Sequence, residues 1–166
     1  MASRIVGLCA VSVVLVACGG RVLGPKARSQ VFPPDRQVTL AGATQDVPAR
    51  GKVTVVDFWA TTCVPCQALL PELEGLSRDL GPRGLVVVGV AADDNPGLVQ
   101  GHVKKLGLTY PQIVDDSATL RGRSTSRGSP DPGARPWGRV RFVLTAGEGS
   151  SSRLRAAVEE ALDEAP

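Results

Sequence analysis

The residues of this chain best suited to chemistry are Cys63 and Cys66, set in Phe58-Trp59-Ala60-Thr61-Thr62-Cys63-Val64-Pro65-Cys66. Thiols with two residues between them can close a small disulfide and reopen it, which suits electron-pair transfer better than scaffolding. The reactive species is the thiolate, and its fraction depends on surroundings. Val53–Trp59 reads as a buried strand and residues 67–76 as a helix, so the pair falls at the junction. Unpaired N–H groups and the positive end of the helix dipole favour the anion there. On this reading Cys63 attacks a substrate sulfur, and Cys66, one turn inward, resolves the mixed disulfide. A structural disulfide is the competing reading, although so short a loop removes little chain entropy. A zinc site lacks ligands, because beyond the N-terminal segment there is no second CxxC and His102 is the sole histidine.

The N-terminus bears on the compartment. Arg4 gives a positive start, residues 5–17 are almost wholly apolar, and the run is short for a membrane-spanning helix. The expectation is a signal peptide over residues 1–17. Its end, Leu15-Val16-Ala17-Cys18-Gly19, resembles the lipobox of bacterial lipoproteins, which implies lipidation of Cys18 as the first mature residue. Cys9 would leave with the leader. Acyl chains anchor a protein to a membrane without crossing it, and two or more give lasting attachment. Residues 18–35 then form a flexible tether and residues 36–166 one domain.

Length and charge agree with that layout. Removing the leader leaves 149 residues, enough for a single core. The remaining 18 basic and 16 acidic residues give a balance of +2, which does not argue for nucleic acid. Arg121, Arg123, Arg127, Arg135, Arg139 and Arg141 stand against the single acid Asp131, and a solvated loop face accounts for them.

The remaining elements follow from pattern. A short edge strand is expected over residues 36–40, a doubly buried strand over 85–91, and a helix from Pro96 to Leu106 ended by Gly107. Brief strands are expected over 112–114 and 140–144, and an amphipathic helix over 152–162. Strands alternating with helices imply an α/β domain with a central mixed β-sheet flanked by helices on both faces. The acids Asp93-Asp94 and Asp115-Asp116 fall in turns, where they cap helices rather than bind metal, and His102 reads as surface or packing.

Residues 55–73, Val-Val-Asp-Phe-Trp-Ala-Thr-Thr-Cys-Val-Pro-Cys-Gln-Ala-Leu-Leu-Pro-Glu-Leu, resemble the active-site segment of the thioredoxin superfamily, specifically the TlpA/ResA-like thiol–disulfide oxidoreductases. The run 86–91 with Asp93, and Leu108-Thr109-Tyr110-Pro111 followed by Asp115, extend the likeness. The resemblance implies a thioredoxin fold, Cys63 as nucleophile, Cys66 as resolving cysteine, and Asp57 as the buried acid of the strand. A carboxyl flanked by Val55, Val56 and Phe58 is poorly solvated, which raises its pKa and suits it to exchange a proton with Cys66. Trp59, Pro65 and Pro136 are assigned by the same resemblance to the substrate-facing surface, Pro136 as the expected cis-proline among Pro130, Pro132 and Pro136. Thr62 and Leu69 depart from the family, which has a second tryptophan and a polar residue at those places.

Together these features lead to an expectation of a monomeric, lipid-anchored, extracytoplasmic thiol–disulfide oxidoreductase of the cell envelope. Val64-Pro65 adds no charge to stabilise the thiolate, which favours a reductase. Its partners would be protein disulfides or dithiols and a membrane electron donor, as in cytochrome c biogenesis, with no metal or other cofactor. The alternative is a redox-inactive thioredoxin-fold binding module with a degenerate substrate loop.

Overall fold

Seven consecutive residues of β4 (Val53–Trp59) are buried, as the β-branched and aromatic run predicts for a strand covered on both faces. The computed structural model describes residues 12–17, 32, 34–93, 95–117, 119–120, 139–145 and 150–165. In chain order the strands are β1 (Ser12–Ala17), β2 (Asp35–Val38), β3 (Thr44–Val47), β4, β5 (Leu85–Ala91), β6 (Gln112–Val114) and β7 (Arg139–Thr145). The helices are α1 (Val64–Leu80), α2 (Pro96–Leu106) and α3 (Ser150–Asp163). Five strands form one sheet in the order β6-β5-β4-β1-β7, its pairs parallel, and β2 and β3 form an antiparallel hairpin.

The hairpin turns at Gly42, whose φ of 78° favours glycine, and is tied to the large sheet where the Leu40 amide donates to the Gln112 carbonyl at 2.8 Å. Strand β3 was not expected, since Thr44-Gln45-Asp46 carries no apolar alternation; pairing with β2 supplies what its composition does not. Ser12–Ala17 lies within the expected leader, and here it pairs with β4 from Val13↔Thr54 to Ala17↔Phe58 and with β7 on its other edge. An uninterrupted apolar run has the composition of a leader's core and equally of a doubly buried strand, so hydropathy alone does not separate them.

Alternation along the strands divides the core. Val53, Val55 and Trp59 of β4 with Leu85, Val87 and Ala91 of β5 face α1 and α3, meeting Leu69, Leu70, Leu73, Leu154 and Val158. Val56, Phe58, Val88 and Val90 face the other way against Phe32, Val47, Ile113 and Leu120. The buried residues of α1 recur at helical spacing, and each leucine so covered contributes roughly 1.5–3 kcal/mol. Helix α2 begins on the Asn95 side chain, which accepts from the Gly97 and Leu98 amides, and ends at Gly107 with φ 64°, the bounds its sequence predicts.

One contact across the sheet matters for the site. The register places Asp57 of β4 beside Gly89 of β5, and Gly89 beside Gln112 of β6. A Cβ at residue 89 would land inside the Gln112 carboxamide, so the present placement of that side chain requires glycine there.

Candidate functional site

Strand β4 ends at Trp59, and four residues later Cys63 caps α1 with extended backbone (φ −91°, ψ 93°). The helix thus starts three residues earlier than the sequence pattern alone predicts. The first intrahelical bond runs from the Gln67 amide to the Cys63 carbonyl at 3.0 Å. No side chain caps this N-terminus, its first turn holds no acid, and Pro65 has no N–H. The positive end of the helix is therefore presented to the Cys63 sulfur. Cys63 and Cys66 form a disulfide, with Cα atoms 5.3 Å apart. Cys63 is half-buried and Cys66 is 2% exposed, so an incoming sulfur reaches the outer cysteine first.

The turn between strand and helix is held from outside. Asp93, just past β5, accepts from the Thr61 amide at 3.0 Å and from the Thr61 hydroxyl at 2.6 Å. The Ala92 amide donates to the Trp59 carbonyl at 2.8 Å, and the Gln67 side chain donates to the Thr61 carbonyl. Sequence reasoning placed Asp93 in a helix cap. Asn95 performs that task instead, and Asp93 is free to bridge 32 residues back to the turn. Asp115 does cap the following turn, accepting from the Leu120 amide at 3.2 Å.

Asp57 lies two residues before Trp59 on the same face of β4, the face on which Trp59 and Cys66 share one core cluster. It is 2% exposed, its Oδ2 has no hydrogen-bond partner, and burial pushes its pKa up to about 8. Glu74 on α1 shows the contrast. Burial pushes its carboxyl up, but the Thr109 amide and hydroxyl each donate to it at 2.7 Å and hold it below its ordinary range. Trp59 is 1% exposed, donates from Nε1 to Gln112 Oε1 at 3.1 Å, and lies 6.4 Å, ring to ring, from His102. It braces the site from behind instead of lining its surface. Pro65 is exposed beside Val64. Pro130, Pro132, Pro136 and Cys18 lie outside the described residues; the cis bond among those described is Val47–Pro48. Among the described residues no three His, Cys, Asp or Glu side chains gather as a metal site would require, and no helix is long and apolar enough to cross a membrane.

Residues 27–125 match the Redoxin family, and the chain belongs to it. DipZ of Mycobacterium tuberculosis is 37% identical over 73 residues, 41% of this chain and 10% of DipZ. The thiol:disulfide interchange protein HelX of Rhodobacter capsulatus is 35% identical over 72 residues, 43% of this chain and 39% of HelX. The matched region thus spans well under half of these curated relatives. A Chlorobium tepidum crystal structure described as thiol:disulfide interchange protein DsbE superposes with a TM-score of 0.69 at 17% identity, covering 81% of this chain and 97% of that one. The fold is thioredoxin-like.

The Asp57 environment sets a pH dependence of stability. An unfolded aspartate ionises near 3.8 and the folded one at about 8, so between those values the unfolded chain has lost a proton that the native chain keeps. Native stability therefore falls as pH rises from about 4 to about 8 and levels off above. Asp57→Asn removes that loss and is expected to be more stable than wild type at pH ~9 by on the order of a few kcal/mol, with little difference at pH ~4. Urea denaturation at the two pH values measures it, and parallel pH curves for the two proteins would contradict it.

Proposed function

We propose that this chain is a thiol–disulfide oxidoreductase that reduces protein disulfides. The observation that carries the reading is the Cys63–Cys66 disulfide at an uncapped helix N-terminus, its outer cysteine half-buried and its inner cysteine buried. Likeness to ResA and HelX, both named for thiol–disulfide chemistry, supports it.

In the reduced protein, the Cys63 thiolate attacks one sulfur of a substrate disulfide. A Cys63–substrate disulfide forms, the substrate S–S bond breaks, and the first substrate sulfur leaves as a thiolate. Cys66 then gives its proton to the Asp57 carboxylate and attacks the Cys63 sulfur. This closes the Cys63–Cys66 disulfide and expels the second substrate thiolate. The substrate gains two electrons and the protein loses two, ending in the oxidised state of this structure. A general base poised near neutral pH contributes on the order of 10²-fold to such a step. The reducing direction is supported by Val64-Pro65, which brings neither histidine nor charge to the thiolate. A membrane electron donor would restore the dithiol.

Export and anchoring belong to the same reading. The lipobox-like Leu15-Val16-Ala17-Cys18 supports cleavage before Cys18 and lipidation of that cysteine at the cell envelope. Cleavage removes β1, and the edges of β4 and β7 that it now pairs become available to each other. Cys18→Ser is expected to move the protein out of the membrane fraction and to retain residues 1–17, read by fractionation and intact mass. A wild-type protein with an unmodified Cys18 contradicts the anchor.

Insulin reduction with a dithiol donor tests the activity. Cys63→Ser is expected to abolish turnover, and Cys66→Ser to accumulate a mixed disulfide through Cys63, seen on non-reducing gels and lost on reduction. A wild-type protein with no Cys63-dependent rate would favour the redox-inactive binding module.

A further inference from the structure

Three buried polar atoms on the Asp57 side of the sheet lack hydrogen-bond partners: Asp57 Oδ2, the Tyr110 hydroxyl and Gln112 Nε2. A buried polar group left unpaired costs roughly 1–3 kcal/mol, so three of them in one core demand a physical reason. Their placement supplies one.

Asp57, Gly89 and Gln112 sit at paired positions on three adjacent strands, so their side-chain positions share one face. Gly89 has no side chain, and the Gln112 carboxamide occupies the space a Cβ there would need, leaning over β5 towards β4. Trp59 fixes which way that carboxamide turns. An indole N–H only donates, so the oxygen of Gln112 must face Trp59 Nε1, and the NH₂ group faces elsewhere. Tyr110, two residues before Gln112, is 4% exposed. Burial, and after it the nearby Asp57 charge, holds its hydroxyl protonated far above the usual phenol range, so it is a permanent donor. The phenol, the carboxamide NH₂ and one carboxyl oxygen are thus buried together beside Gly89; Tyr110 and Gln112 are close enough for the carboxamide to favour the phenolate, yet none of the three atoms completes a hydrogen bond of full geometry. A single bridging water, which takes two to four polar partners, satisfies all three.

We propose that Asp57, Tyr110 and Gln112 bound a buried water site, and that Tyr110 and Gln112 are positioning residues that stabilise the charged form of Asp57 through that water. This rests on the exchange reading for its purpose: Asp57 can take the Cys66 proton only if its carboxylate is tolerable in the core, and the water with its two donors makes it so. Once charged, the oxygen aimed into the site accepts from the water, whose other contacts run to the phenol oxygen and the carboxamide nitrogen. The other groups facing this region do not substitute for them. Helix α1 offers Cys66 and Glu74, the latter committed to Thr109; β5 offers Gly89; α3 offers apolar Leu154, Val158 and Ala161.

The test reads Asp57 directly in the oxidised protein, without turnover, by carbon-13 NMR titration of its labelled carboxyl in wild type, Tyr110→Phe and Gln112→Met. Tyr110→Phe removes only the hydroxyl and keeps the packing. Loss of either donor is expected to raise the Asp57 midpoint by about half a pH unit or more. The acidic limb of the exchange-rate profile, where Asp57 must lose its proton to act as a base, is expected to shift upward with it, a readout that a purely structural role would leave in place. Asp57 midpoints equal to wild type in Tyr110→Phe overturn the proposal, whether or not Gln112→Met folds, and leave disulfide exchange standing. Shifted midpoints in a wild-type background that does not reduce insulin overturn the exchange reading and leave the site.

Discussion

The chemistry open to this chain depends on one constraint, that the positive end of α1 be left to a sulfur. Most helix N-termini spend their unpaired amides on a Ser, Thr, Asp or Asn side chain, or on an acid in the first turn. Here the capping position is Cys63, no side chain caps it, and the first turn has no acid. An uncapped helix start sacrifices about 1 kcal/mol of stability, and what it gains is a backbone dipole directed at the atom that must carry negative charge. The surrounding contacts keep this arrangement in register. Strand β4 is buried along its whole length, so Trp59 cannot shift without breaking the sheet, and Asp93 clamps Thr61 by both amide and hydroxyl.

Two buried carboxyls on the α1 side of the sheet, Asp57 and Glu74, differ in their partners. Glu74 has its hydrogen bonds from Thr109 and serves to tie α1 to the loop before β6. Asp57 has an unpartnered oxygen and a pKa brought close to the range in which thiols exchange protons. The same chemical group is held ionised in one place and pushed towards its neutral form in the other, and the difference lies in the number of donors each can reach.

The elements that position the site were legible because their signals are local. The β-branched runs of β4 and β5 declared buried strands, and Pro96 and Gly107 bounded α2. The cysteine pairing and the Asp57 burial came from the same short segment. What the sequence hid depends on distance in space. Nothing near Asp93 announces that it will reach Thr61, and Gln112 is an ordinary strand residue until the register sets it over Gly89. The residues 12–17 show a different limit, since one apolar run satisfies two descriptions at once.

The account turns on whether the helix end makes Cys63 a ready anion, and that is measured by the rate at which the reduced protein is alkylated by iodoacetamide across pH, with modification at residue 63 followed by mass spectrometry. A midpoint well below the roughly 8.5 of an unperturbed thiol is the result this structure predicts. A midpoint at or above that value would contradict it.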